Sequence, residues 1–89
     1  MVEKTLEIVN KRGLHARAAA KFSKLSDEFQ SDVQVTKDGQ TVSGLSIMGL
    51  MMLSASKGTT IHVQVNGDDE KQALDALSDL VGAAFHEDE

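Results

Sequence analysis

The chain has 89 residues, 40% of them apolar, with no cysteine, proline, tryptophan or tyrosine and three phenylalanines. A formal net charge of −5 and few aromatic rings argue against a nucleic-acid surface, which needs cations for phosphate and rings for base stacking. The length implies one domain spanning residues 1–89, and without cysteine neither a disulfide nor a thiolate metal site can hold it together.

The first stretch, VEKTLEIV, sets Val2, Leu6 and Ile8 on one face and Glu3, Thr5 and Glu7 on the other, the period of a strand. NKRG breaks that pattern. From Ala16 the spacing becomes helical, with Ala18, Phe22, Leu25 and Phe29 on one side and Lys21, Lys24 and Asp27 on the other. DVQVTKDGQTVSG predicts a hairpin turning at Asp38-Gly39, because glycine readily takes the positive φ of a two-residue turn. SIMGLMML predicts a short helix capped by Ser46 and weakened by Gly49. TTIHVQVNG predicts a strand with Ile61, Val63 and Val65 on one face. The longest helix is expected over DDEKQALDALSDLVGAAF. There Asp69 and Gln72 have capping-box spacing, and Ala73, Leu74, Leu77, Leu80, Val81, Ala84 and Phe85 form one apolar stripe. The acidic end HEDE is expected to fray.

The resulting order, β-α-β-β-α-β-α, implies an α+β fold. Four half-apolar strands and two long amphipathic helices are satisfied by a mostly antiparallel sheet covered on one face by helices. The start of the chain alternates rather than forming a signal sequence. No apolar run approaches the ~20 residues of a membrane helix. A soluble, cytoplasmic protein without membrane insertion is therefore expected.

His15 stands just before the first helical turn, in NKRGLHARAAAKF. The first backbone N–H groups of that helix, at Ala16 and Arg17, lack intrahelical partners and point outward, an arrangement that attracts an anion. The same positive end disfavours an imidazolium, and a neutral ring keeps a nucleophilic lone pair. Gly13 lets the preceding turn bend without crowding the ring. Such a ring could accept a phosphoryl group whose oxygens meet the amides of Ala16 and Arg17, with the Arg17 guanidinium offsetting charge. On the residues alone, the favoured reading of His15 is a polar substitute for an N-cap, although histidine caps less well than serine or aspartate.

GLHARAAAKF, the Asp-Gly hairpin, SIMGLMML and the final helix together resemble the histidine-containing phosphocarrier proteins, HPr, of the bacterial phosphotransferase system, over nearly the whole chain. The resemblance implies an open-faced β-sandwich. It implies that His15 is phosphorylated on Nδ1 by Enzyme I, which draws on phosphoenolpyruvate, and passes the group to an Enzyme IIA. In that role the protein is a stoichiometric intermediate rather than a turnover enzyme. Arg17 matches the family's active-site arginine, and Ser46 matches the serine that a dedicated kinase modifies in many members. Ala18 departs from the family's usual proline, and Ile47 and Met48 stand where an aromatic often follows the serine. These departures leave open whether the chain serves sugar uptake or the nitrogen-related regulatory branch.

Ile47, Met48, Met51 and Met52 crowd a helix too short to bury them all. A split is expected: some point inward, and Ile47, Met48 and Met51 offer a deformable docking patch beside His15. His62 and His86 have no partner at metal-ligand spacing, so no metal or other cofactor is expected. The expected partners are Enzyme I, an Enzyme IIA and a serine kinase, the expected state a monomer. Two other classes compete. An RNA-binding module would show aromatics on the open sheet face, and the strands here carry none. A regulatory module that docks partners without carrying phosphate would make His15 replaceable.

Overall fold

The apolar alternation of Val2, Leu6 and Ile8 produces strand β1, Val2–Glu7, with Leu6 and Ile8 buried. The computed structural model describes residues 1–87. Helix α1 covers Ala16–Asp27, the hairpin strands are β2, Asp32–Lys37, and β3, Gln40–Ser43, and helix α2 covers Ile47–Met52. Strand β4, Thr60–Asn66, and helix α3, Glu70–Gly82, complete the order, followed by a single short turn at Ala84–His86. The sheet order is β1-β4-β2-β3, antiparallel throughout.

Register follows from matching the apolar faces, since a shift by one residue would turn each strand's buried set outward. Leu6 pairs with Ile61, Val33 with Val65, and Val35 with both Val63 and Val42. The face these residues share is covered by α1 and α3, whose Phe22, Leu77 and Val81 are buried against it. The opposite face is polar, with Thr5 and Glu3 bonded to His62 and Thr36 to Thr41. The hairpin turns as its sequence requires, with φ of 50° at Asp38 and 81° at Gly39.

Three expectations need correction. Asp69 does not cap α3 with its side chain. Its carboxylate instead accepts from the backbone N–H of Gln30 and from both the N–H and hydroxyl of Ser31, at 2.6–3.0 Å. It thus ties the start of α3 to the loop after α1, a tertiary use that local spacing cannot reveal. Glu70 accepts from the Gly67 N–H and pairs with the terminal amine of Met1. Second, the α2 side chains do not split. Ile47, Met48, Met51 and Met52 are all exposed, and the inward positions are Leu50 and Leu53. Gly49 is required here because a Cβ would stand 2.9 Å from the Ser46 hydroxyl and 3.0 Å from Val42.

Third, α3 does not run on through Phe85. It ends at Gly82, and Ala84, Phe85 and His86 take φ of 56–58°, a left-handed turn without glycine. Each such residue costs about 1–2 kcal/mol. Burial of the Phe85 ring, which is fully enclosed, offsets about 1.5–3 kcal/mol of this, and polar contacts add to it. One is the Lys21 ammonium donating to the Phe85 carbonyl at 2.6 Å. The turn carries Glu87 back onto the protein, so the HEDE segment is not frayed at that residue; Asp88 and Glu89 lie outside the described residues.

Two outcomes follow from this packing. The Ser31 hydroxyl, foremost, and the Gln30 N–H hold the Asp69 carboxyl below its usual range. A carboxyl lowered in the folded state contributes stability above the unfolded value near pH 4, and that contribution is lost as pH falls through the folded value. Urea titrations should therefore show Asp69→Ala less stable than wild type at neutral pH, with the gap closing in acid. Gly13→Ala should lose about 1–3 kcal/mol in the same assay, because φ there is +68° and the new Cβ would lie 2.5 Å from the Ala55 carbonyl oxygen.

Candidate functional site

The loop between β1 and α1 is fixed by its backbone. The Leu14 N–H donates to the Ala55 carbonyl at 2.8 Å, and the Gly13 N–H to the Asn10 carbonyl at 3.2 Å. Gly13 must lack a side chain because the loop lies directly against Ala55 and Ser56. Asn10 is completely buried, and its amide donates to the Gly13 carbonyl at 2.7 Å. Leu14 is buried, so the next residue, His15, emerges at the helix mouth with its side chain 19% exposed.

His15 occupies the N-cap position in extended conformation, and its carbonyl accepts from the Ala19 N–H at 2.8 Å. Its ring makes no capping hydrogen bond. The reading of His15 as a cap substitute therefore fails. The N–H groups of Ala16, Arg17 and Ala18, which precede that first intrahelical bond, are left without an intrahelical partner. Ala16 and Arg17 are exposed, whereas Ala18 is buried against the core. The first turn of α1 contains no acidic residue, so its positive end is not neutralised locally. Arg12 joins Leu14, His15, Ser54, Ala55 and Ser56 in lining a shallow depression at the ring.

The side chain that meets the ring was not singled out in the sequence. Glu87 accepts from His15 Nε2 with one carboxylate oxygen, and its other oxygen accepts from the Asn10 amide at 2.8 Å. Burial pushes the Glu87 carboxyl up, but the bonds from Asn10 and His15 outweigh it and hold the group below its usual range. No hydrogen bond is made by His15 Nδ1 among the described residues. The site thus combines a ring hydrogen-bonded at one nitrogen, two backbone amides without intrahelical partners on exposed residues, and an exposed arginine.

The other candidates are placed separately. Ser46 caps α2, its hydroxyl accepting from the Gly49 N–H at 2.9 Å. Ile47, Met48 and Met51 lie exposed on that helix with Met52. His62 sits on the polar sheet face, and no cluster of three or more metal-binding side chains occurs among the described residues. No helix among them is long and apolar enough to cross a membrane.

The family model described as the PTS HPr component phosphorylation site matches residues 2–83. Phosphocarrier protein HPr of Neisseria meningitidis serogroup A is 51% identical over 89 residues, covering the whole of both chains. Among solved structures, HPr-C-His from Thermoanaerobacter tengcongensis superposes with a TM-score of 0.94 at 45% identity over all of both chains. An HPr dimer from the same organism gives 0.78 at 46% identity, over 98% of this chain and 100% of that one. Helix, sheet and sequence agree along the chain's length, and the chain belongs to the HPr family of phosphocarrier proteins of the phosphotransferase system.

Proposed function

We propose that this chain carries a phosphoryl group on His15, received from phosphorylated Enzyme I and surrendered to an Enzyme IIA. The observation that supports this most directly is the ring itself. It is partly exposed at a helix N-terminus that no side chain caps, where the Ala16 and Arg17 amides have no intrahelical partner. The N–H groups can bind the arriving oxygens without any reorganisation, and Arg17 adds a positive charge that has no ion pair among the described residues. Because the group is bound covalently and then leaves, the protein acts once per transfer and is itself the substrate of two enzymes.

Ser46 serves as a regulatory phosphorylation site for a serine kinase. Its partly exposed position at the start of α2 supports this, since a phosphate there would add about −1.5 to −2 charges next to the apolar α2 surface. Ile47, Met48 and Met51 form the docking surface for Enzyme I and Enzyme IIA, supported by their joint exposure. The carrier works in the cytoplasm as a single-domain monomer. The exposed apolar helix also favours a second reading, a docking regulator of the nitrogen-related branch that acts without passing phosphate on to a sugar.

Incubation with Enzyme I and phosphoenolpyruvate should give an acid-labile adduct that His15→Ala abolishes. Retention of the label in that variant, or no label on wild type with an active Enzyme I, would refute the carrier reading. Arg17→Ala should slow labelling by roughly 10²- to 10³-fold, read by quench-flow. Met48→Glu should raise the KM for transfer between the proteins while leaving the circular dichroism spectrum unchanged, because Met48 is 69% exposed and supports no core contact.

A further inference from the structure

The carboxylate at the ring has a partner on each oxygen, and the two partners together dictate where the His15 proton resides. Asn10 approaches Glu87 with its amide nitrogen, a donor only, so the oxygen it meets must accept. An ionised carboxylate accepts at its other oxygen as well, so the His15 nitrogen facing it must carry hydrogen. In the neutral imidazole that leaves the lone pair on Nδ1, the nitrogen that makes no hydrogen bond among the described residues. Asn10 is fully buried and also bonded to the Gly13 carbonyl, so it cannot turn to relax this pattern.

The carboxylate is held in place from both sides. Phe85 is buried two residues before it, and Lys21 holds the Phe85 carbonyl. The left-handed backbone at Ala84, Phe85 and His86 reverses the chain so that residue 87 returns to the helix mouth. A freely solvated glutamate would not need such a turn.

We propose that Glu87, anchored by Asn10, is a positioning residue of the phosphoryl-accepting site, fixing His15 as the Nε2–H tautomer and balancing the charge of the phosphorylated ring. The inference rests on the reading of His15 as the acceptor. In the step itself, the Nδ1 lone pair forms the nitrogen–phosphorus bond. The bond from phosphorus to the leaving atom of the phosphorylated donor protein breaks, and its electron pair stays with the donor. The Nε2 proton remains on His15, shared with Glu87. The substituted ring then carries the positive charge of an imidazolium, and the carboxylate lies against it. Arg17 and the helix amides serve the phosphoryl oxygens, while Glu87 serves the ring.

Glu87→Gln tests this at constant size. With its amide oxygen accepting from Asn10, the glutamine turns its NH₂ toward Nε2, which must then accept, and the proton moves to Nδ1, the wrong nitrogen. Ring ¹⁵N shifts of the full chain in alkaline buffer should show mainly Nε2–H in wild type, mainly Nδ1–H in Glu87→Gln and a mixture in Glu87→Ala. Labelling by Enzyme I and phosphoenolpyruvate should slow roughly 10-fold in Glu87→Gln. That is less than the roughly 10²- to 10⁴-fold of a group that transfers the proton itself, because water reaches a ring that is 19% exposed. Wild-type tautomer populations in Glu87→Gln, or a wild-type labelling rate in that variant, would overturn the positioning role while leaving the carrier intact. Failure of wild type itself to be labelled would overturn both.

Discussion

The backbone hydrogen bond from Leu14 N–H to the Ala55 carbonyl is the constraint on which the site depends. It binds the loop ahead of α1 to the segment that leads into β4, one of the two central strands of the sheet. A helix start normally acquires a serine or aspartate cap that consumes its free amides. Here the chain direction is fixed instead by the close approach of Gly13 to Ala55 and Ser56, so no polar side chain is needed to orient the helix. The amides stay available, and the residue in the cap position can be an imidazole that does other work.

The starts of α1 and α2 illustrate the contrast. Ser46 caps α2 in the usual way, its hydroxyl bonded to the amide three residues on. That amide is Gly49, whose missing side chain makes room for both the hydroxyl and Val42. His15 caps nothing. One terminus is closed by its own side chain and the other is left open, and the difference lies in whether tertiary contacts have already fixed the backbone.

Most of the architecture was legible because it rests on periodicity. Leu6, Val33, Val35, Ile61, Val63 and Val65 alternate in sequence and all lie on the covered face. His15 and Arg17 were legible from the short GLHAR motif, and Ala16 and Arg17 from the rule that a helix begins with unpaired amides. The illegible parts share one cause, which is tertiary contact overriding local preference. Asp69 has the spacing of a cap but bonds to Gln30 and Ser31, some forty residues earlier in the chain. The run Val81-Gly82-Ala83-Ala84-Phe85 suits a continuing helix, yet the ring of Phe85 reaches the core only if the backbone turns left-handed. The place of Glu87 at the ring was invisible because its partners, Asn10 and His15, lie more than seventy positions away. An acidic tail carries no signal of its own, and only the buried Asn10 hints that something polar must arrive at that place.

The exposure of α2 has a chemical consequence. The four methionines of the chain, Met1, Met48, Met51 and Met52, are all at the surface, and there is no cysteine. Mild oxidants convert thioethers to polar sulfoxides. In this protein the reaction would begin at Met1 and on the outer face of one short helix, and meet no sulfur in the interior. Peroxide would thus alter the exposed surface long before it loosened the fold, and sulfoxide reductases could restore that surface without any refolding.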